Sequence, residues 1–153
     1  MNSIHDICKR YNITNYTVND DGSIDVNGNV KISSHKFTEL PIRFNKVLGS
    51  FSCSDNKLTT LKGCPRWVGN WFSCEFNDLT TLEFAPDYVG GWFSCVENGK
   101  LTDNYCDTEI IGQFHTRLKE KEFIYGLKNE ITNYNEWRKL YKRRFVLNKI
   151  FDQ

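Results

Sequence analysis

The chain repeats itself every 21 residues: 47–67 reads VLGSFSCSDNKLTTLKGCPRW, 68–88 reads VGNWFSCEFNDLTTLEFAPDY, and a further copy opens at Val89 as VGGWFSCVENGKLTD. A unit this short cannot bury an apolar face by itself, so neighbouring units must cover it, and the chain is expected to stack into a solenoid with one shared core. A degenerate copy precedes these, since 26–46 matches in phase at Gly28, Val30, Ile32, Phe37, Thr38 and Leu40. The array is expected to begin near Val26 and to decay after Leu101, where the copy from Val89 carries one extra residue between Asn98 and Leu101.

The 153 residues are read as a single domain, with an N-terminal part over 1–25, repeats over 26–107 and a helical part over 108–153. The formal charge of +1 conceals a skew. Residues 1–115 carry 10 Lys/Arg against 14 Asp/Glu, and residues 116–153 carry 10 against 5. The first residues, MNSIHDICKRYNI, lack the apolar run of an export signal, and no stretch has the length and hydropathy of a membrane span. These readings point to a cytoplasmic protein with six free thiols rather than a disulfide framework. Ala85 is the only alanine, while Asn, Lys, Ile, Tyr and Phe abound, a bias expected from an AT-rich coding sequence such as that of a phage or an AT-rich bacterium.

Ser3 followed by Asp6 predicts a capped helix over about Ile4–Tyr11, with Ile4, Ile7, Cys8 and Tyr11 on one face. Alternation at Tyr16 and Val18, a turn at Asp21-Gly22 and alternation at Ile24 and Val26 predict a hairpin that closes the open end of the first repeat. Within the repeats, Ser50 to Cys53, Trp71 to Cys74 and Trp92 to Cys95 read as strands with Phe and Cys inward. From Thr108, Ile110, Ile111, Phe114 and Leu118 recur at three- and four-residue intervals, followed by Phe123, Ile124, Leu127 and Ile131, which predicts one or two helices. A last helix is expected over about Glu136–Phe151.

Leu48, Phe51, Cys53, Asn56 and Leu58, then Gly69, Phe72, Cys74, Asn77 and Leu79, then Gly90, Phe93, Cys95 and Asn98 spell a substituted L-x-x-L-x-L-x-x-N-x-L pattern. This resembles a leucine-rich repeat of the short bacterial-effector class, and more closely the small repeat proteins of mostly unassigned role encoded by tailed bacteriophages. The resemblance covers roughly Val26 to Asp103. It implies a parallel sheet along a concave side; with the helix and hairpin predicted at one end and the helices at the other, which fall outside its motif, the expected fold is an α+β solenoid of about four turns. The resemblance also implies that Asn56, Asn77 and Asn98 bond backbone groups inside the turns, while His35 stands in place of the asparagine in the first copy.

Alternation places Asn29, Ser50, Trp71 and Trp92 outward, followed by rows holding Ser52, Ser73 and Ser94, then Ser54, Glu75 and Val96, then Asp55, Phe76 and Glu97. Trp71, Trp92, Phe76, Ser73, Glu75, Asp55 and Glu97 are therefore the candidate partner-binding residues, since exposed aromatics among small polar and acidic groups make interaction hot spots. The competing reading is that the C-terminal helices fold over Trp71, Trp92 and Phe76. A second candidate surface is the basic run Arg138, Lys139, Lys142, Arg143, Arg144 and Lys149 among aromatics, which suits phosphate backbones or an acidic protein surface, although such side chains also serve as the solvated face of a helix.

Cys53, Cys74 and Cys95 recur once per turn, but without a C-x-x-C or paired histidines they read as small core residues rather than metal ligands. Asn19 to Ile24 resembles a calcium loop only in its middle, and a hairpin turn accounts for it. No nucleophile motif or phosphate-binding loop is present, so neither catalytic residues nor a cofactor or metal is expected. The phage resemblance implies binding of a host protein in the host cytoplasm, with an antiviral defence component as the suggested target. Nucleic-acid binding and a structural role in a virion or its assembly are the alternatives, and self-association is open.

Overall fold

The computed structural model describes residues 3–101, 108–112 and, for the backbone, 114–115. The chain winds into a β-solenoid of about four turns. Each turn contributes two short parallel strands, one to each of two sheets. A helix α1 (Ile4–Arg10) and strands β1 (Tyr16–Val18) and β2 (Ile24–Val26) come first. β3 (Val30–Lys31), β5 (Phe51–Ser52), β7 (Phe72–Ser73), β9 (Phe93–Ser94) and β11 (Phe114–His115) then form one sheet. β4 (Phe44–Val47), β6 (Trp67–Val68), β8 (Tyr88–Val89) and β10 (Glu109–Ile110) join β1 and β2 in the other.

α1 starts where Ser3 and Asp6 exchange hydrogen bonds in a capping box, which satisfies donors the first helical turn leaves unpaired. These same bonds hold the Asp6 carboxyl below its ordinary pKa. Cys8 and Ile13 then enter the core. β1 pairs antiparallel with β2 across a turn in which Gly22 takes a φ of 77° and the Ser23 N–H and hydroxyl both donate to Asp21. That hairpin, not a cation loop, is what Asn19 to Ile24 builds.

The strand register is the sequence period made physical. Phe51 pairs with Phe72 and Phe72 with Phe93, while Val47 pairs with Val68 and Val68 with Val89. Each of these partners therefore stands 21 residues away and about 4.8 Å along the axis. Identical residues stack into internal ladders: the rings of Phe51 and Phe72 lie 5.7 Å apart and those of Phe72 and Phe93 4.9 Å apart, all fully buried. Burying one such ring contributes roughly 1.5–3 kcal/mol, so the aromatic row is a principal stabiliser of the stack. Cys53, Cys74 and Cys95 form the adjacent row. They are free thiols, as are Cys8 and Cys64. Burial, with the Cys53 thiol beside it, pushes the Cys64 pKa well up.

Two departures from the sequence expectation concern strands. Each turn has two strands rather than one, because Val47, Trp67-Val68 and Tyr88-Val89 pair among themselves before a glycine-bearing corner leads into the Phe-containing strand. Backbones approach closely there: a Cβ on Gly69 would lie 2.1 Å from the Leu48 carbonyl oxygen, and one on Gly90 2.3 Å from that of Gly69. The second departure is a correction. The segment read as helical from Thr108 contains β10 and β11, which add a further rung to both sheets beyond the expected end of the repeats at 107. Ile110, Gly112 and Phe114 stand 21 residues after Val89, Gly91 and Phe93, and that spacing overrides the helix-like intervals. The extra residue noted before Leu101 is absorbed in a local turn in which the Leu101 N–H bonds the Asn98 carbonyl. The remaining predicted helices, Glu136–Phe151 included, lie outside the described residues.

The return side of two successive turns uses a left-handed residue. Gly63 has a φ of 92°, and its counterpart one turn on, Phe84, has a φ of 66°. Gly63→Ala is expected to destabilise the fold by about 1–2 kcal/mol, since an L side chain strains this conformation and the new Cβ would also press on the Ile42 carbonyl oxygen at 3.3 Å. Urea unfolding measures it, and an unchanged midpoint would show that the turn relaxes freely.

Candidate functional surface

Three residues beyond the ends of β3, β5, β7 and β9, each turn places a non-glycine residue in the left-handed region: Ser34, Asp55, Phe76 and Glu97, with φ between 52° and 64°. This kink swings the following residue inward. In three turns that residue is asparagine. The Asn77 amide donates to the carbonyls of Cys53, Cys74 and Glu75, while its oxygen accepts from the Leu58 N–H. Asn98 repeats the pattern one rung on, with Leu79 as the donor. Asn56 accepts from the N–H groups of His35 and Phe37 and donates to Ile32 and Cys53. In the first turn His35 does not take this inward role; it is exposed, and its ring lies 4.9 Å from that of Tyr11.

The kink fixes where the candidate side chains stand. Asp55, Phe76 and Glu97 occupy the same position in successive turns, so Phe76 has a carboxylate residue one rung to either side. Phe76 is 54% exposed despite its left-handed backbone. Phe84 on the return side shares both properties, at 54% exposed and a φ of 66°, so what sets Phe76 apart is its place between Asp55 and Glu97, where polar residues fill the same position in the other turns. Asp55 is exposed and accepts from the Ser34 hydroxyl at 2.6 Å. Glu75 is half-buried and accepts a short hydrogen bond from the Ser94 hydroxyl.

On the same sheet, Trp71 and Trp92 stack with centroids 4.9 Å apart and planes within 4°. Both are half-buried. Ser73, expected among the accessible candidates, is only 4% exposed, and Ser52 and Ser94 in its row are 7% and 2%. The correction has a simple cause: a short side chain stands two residues from Trp71 and from Glu75 on the same face, in the trough between two taller rows. The serines bond along this trough, with Ser54 to Ser73 at 2.7 Å and Ser33 to Ser52 at 3.0 Å.

Sequence reasoning passed over a second aromatic stack, on the other sheet. Trp67 and Tyr88 stand 5.3 Å apart and within 9° of parallel, and the Lys46 ammonium sits 4.8 Å above Trp67 as a cation–π cap. Beside them Arg66 pairs with Asp87 at 2.7 Å. The signal was available: an aromatic followed by Val recurs at a spacing of 21 just before the corner.

Among the described residues, no group of three or more His, Cys, Asp or Glu side chains could hold a metal ion. No described helix is long and apolar enough to cross a membrane. The basic candidates Arg138, Lys139, Lys142, Arg143, Arg144 and Lys149 lie outside the described residues. Comparison of the chain with protein-family models, curated proteins and solved structures gave no match.

Proposed function

We propose that this chain is a non-enzymatic protein-binding module, a leucine-rich-repeat-like scaffold that engages its partner through the sheet face carrying Trp71, Trp92 and Phe76. The observation that carries this reading is the exposed Phe76 ring, placed between Asp55 and Glu97 at a left-handed backbone position in the same run of turns as the tryptophan stack. Aromatics of this kind supply much of the energy of protein interfaces, and flanking carboxylates select the partner's charge. The asparagine ladder supports the leucine-rich-repeat reading, since it performs the backbone-bonding role such repeats assign to that position. On the resemblance to phage repeat proteins, the biological role is to sequester or inhibit a host protein, with a component of antiviral defence as the suggested target, in the host cytoplasm.

The test is affinity capture from host-cell extract with the wild-type chain and the Trp71→Ser/Trp92→Ser double variant. The variant is expected to lose the captured partner by at least tenfold while still unfolding cooperatively. Undiminished capture by a folded double variant overturns the assignment of this face.

A further inference from the structure

The Trp67–Tyr88 stack lies in a strip of surface that is complementary to itself. We propose that this strip pairs two copies of the chain, antiparallel, about a two-fold axis. The pairing uses the other sheet and goes beyond the binding function proposed above, and its test requires no partner.

Sheet register lines up Lys46, Trp67, Tyr88 and Glu109 on successive rungs. Two residues further along each turn, at the corner, stand Leu48, Gly69, Gly90 and Ile111. The glycines leave room for the rings. Trp67 Cη2 lies 3.0 Å from where a Cβ on Gly69 would stand, and the Tyr88 hydroxyl oxygen 3.4 Å from one on Gly90. Both rings therefore lean over the corner, into line with Leu48 and Ile111, which are 46% and 59% exposed. The result is an apolar strip across four rungs, about 14 Å from end to end at one strand spacing per rung.

Charge selects the occupant. Lys46 at one end of the strip and Glu109 at the other are both exposed, and on the two rungs between them Arg66 pairs with Asp87 in the same order. Read along the stack, the strip is flanked by cation, cation, anion, anion. Turning a second copy end for end sets each charge against its opposite: Lys46 faces Glu109 of the second copy, and Arg66 faces its Asp87. The same operation sets Trp67 against Tyr88 and Leu48 against Ile111. A two-fold axis lying in the interface, across the stack midway between the rungs of Trp67 and Tyr88, performs all of these pairings together. Parallel pairing of two copies would instead bring like charges together, and a partner of one charge sign would meet repulsion along half of the strip. The strip is smaller than the interface of a stable dimer, so the pair is weak and depends on concentration.

Sedimentation velocity on the full-length chain reads the association. Wild type is expected to pass from monomer to dimer between about 10 μM and 1 mM, and raised salt should shift the transition upward. Lys46→Glu and Glu109→Lys each place two like-charge contacts in the dimer, and each should weaken it by at least tenfold. An equal mixture of the two variants should associate again, since each chain then meets its opposite at both ends, and Lys46→Glu/Glu109→Lys should regain self-association for the same reason. A merely unfolded variant can do neither. A wild-type chain that stays monomeric at about 1 mM overturns the proposal. So does a mixture of the single variants that fails to associate, or a dimer that Trp71→Ser/Trp92→Ser abolishes, which would assign the contact to the other sheet. The capture experiment reads that other face, so the two results can succeed or fail independently.

Discussion

Phe72→Ala is expected to destabilise the solenoid by about 3–5 kcal/mol, a large share of the 5–15 kcal/mol typical of a domain. Phe72 is fully buried, and its ring lies between those of Phe51 and Phe93 in the middle of the aromatic row. Truncation removes the transfer energy of the ring and leaves a void that both neighbours line. The stacked strands fix the spacing of the rungs, so neither ring can move in to fill it without disturbing the backbone ladder. In a repeat array, where stability resides in contacts between adjacent turns, the loss falls on two interfaces together. Urea unfolding followed by circular dichroism measures the effect. A loss below about 1 kcal/mol would mean that the core collapses around the void, and the row would then not be the principal stabiliser.

Asn77→Ala is expected to cost about 3 kcal/mol although the side chain is small and polar. Asn77 is buried, and removing it strands the N–H of Leu58, itself fully buried, and takes one donor each from the carbonyls of Cys53, Cys74 and Glu75, which keep their bonds from Asn56, Asn98 and Asp55. A single buried donor left unsatisfied costs about 1–3 kcal/mol, and the lost donations and the void add to this. Asn77→Asp distinguishes this account from simple packing. Aspartate keeps the acceptor for Leu58 but turns oxygens toward the carbonyls of Cys53, Cys74 and Glu75, so burial and repulsion raise its folded pKa above the unfolded value. A group whose folded pKa is raised loses stability as pH rises through the window between the two values. The aspartate variant should therefore be less stable relative to wild type at neutral pH than in mild acid. Equal deficits at both pH values would remove the carbonyl cluster from the explanation.

Much of this architecture was legible from spacing alone. The 21-residue period fixed which residues share a rung, and alternation fixed that Phe51, Phe72, Phe93 and the cysteines beside them lie inside. The asparagine role followed from the resemblance and reappears bond by bond. The helix at Ile4–Arg10 and the hairpin after it were readable because their signals are local: a cap, a glycine turn and short alternation. Less local features were missed. The second strand of each turn is two residues long in β6 and β8, too short to show alternation, and only its partners in adjacent turns give it the hydrogen bonds that define it. The rung at 109–115 was hidden because Ile110 and Phe114 satisfy a helical interval and the 21-residue interval together, and only sheet pairing decides between them.

The candidate surface divides in the same way. The sequence placed Trp71 and Trp92 in one row and Phe76 between Asp55 and Glu97 in another, because residues one period apart must be neighbours in a stack. It could not show that Ser73 sinks into the trough between taller rows, since accessibility depends on the height of side chains from several turns. Nor could it show that Phe76 sits at a left-handed kink, since asparagine, glycine and aspartate advertise that conformation while phenylalanine does not. By itself, then, the sequence determined the order and neighbours of the rungs, because periodicity is a property of the chain. The tertiary structure alone decided which outward side chains reach solvent and where the backbone bends to present them, because both depend on what neighbouring turns leave uncovered.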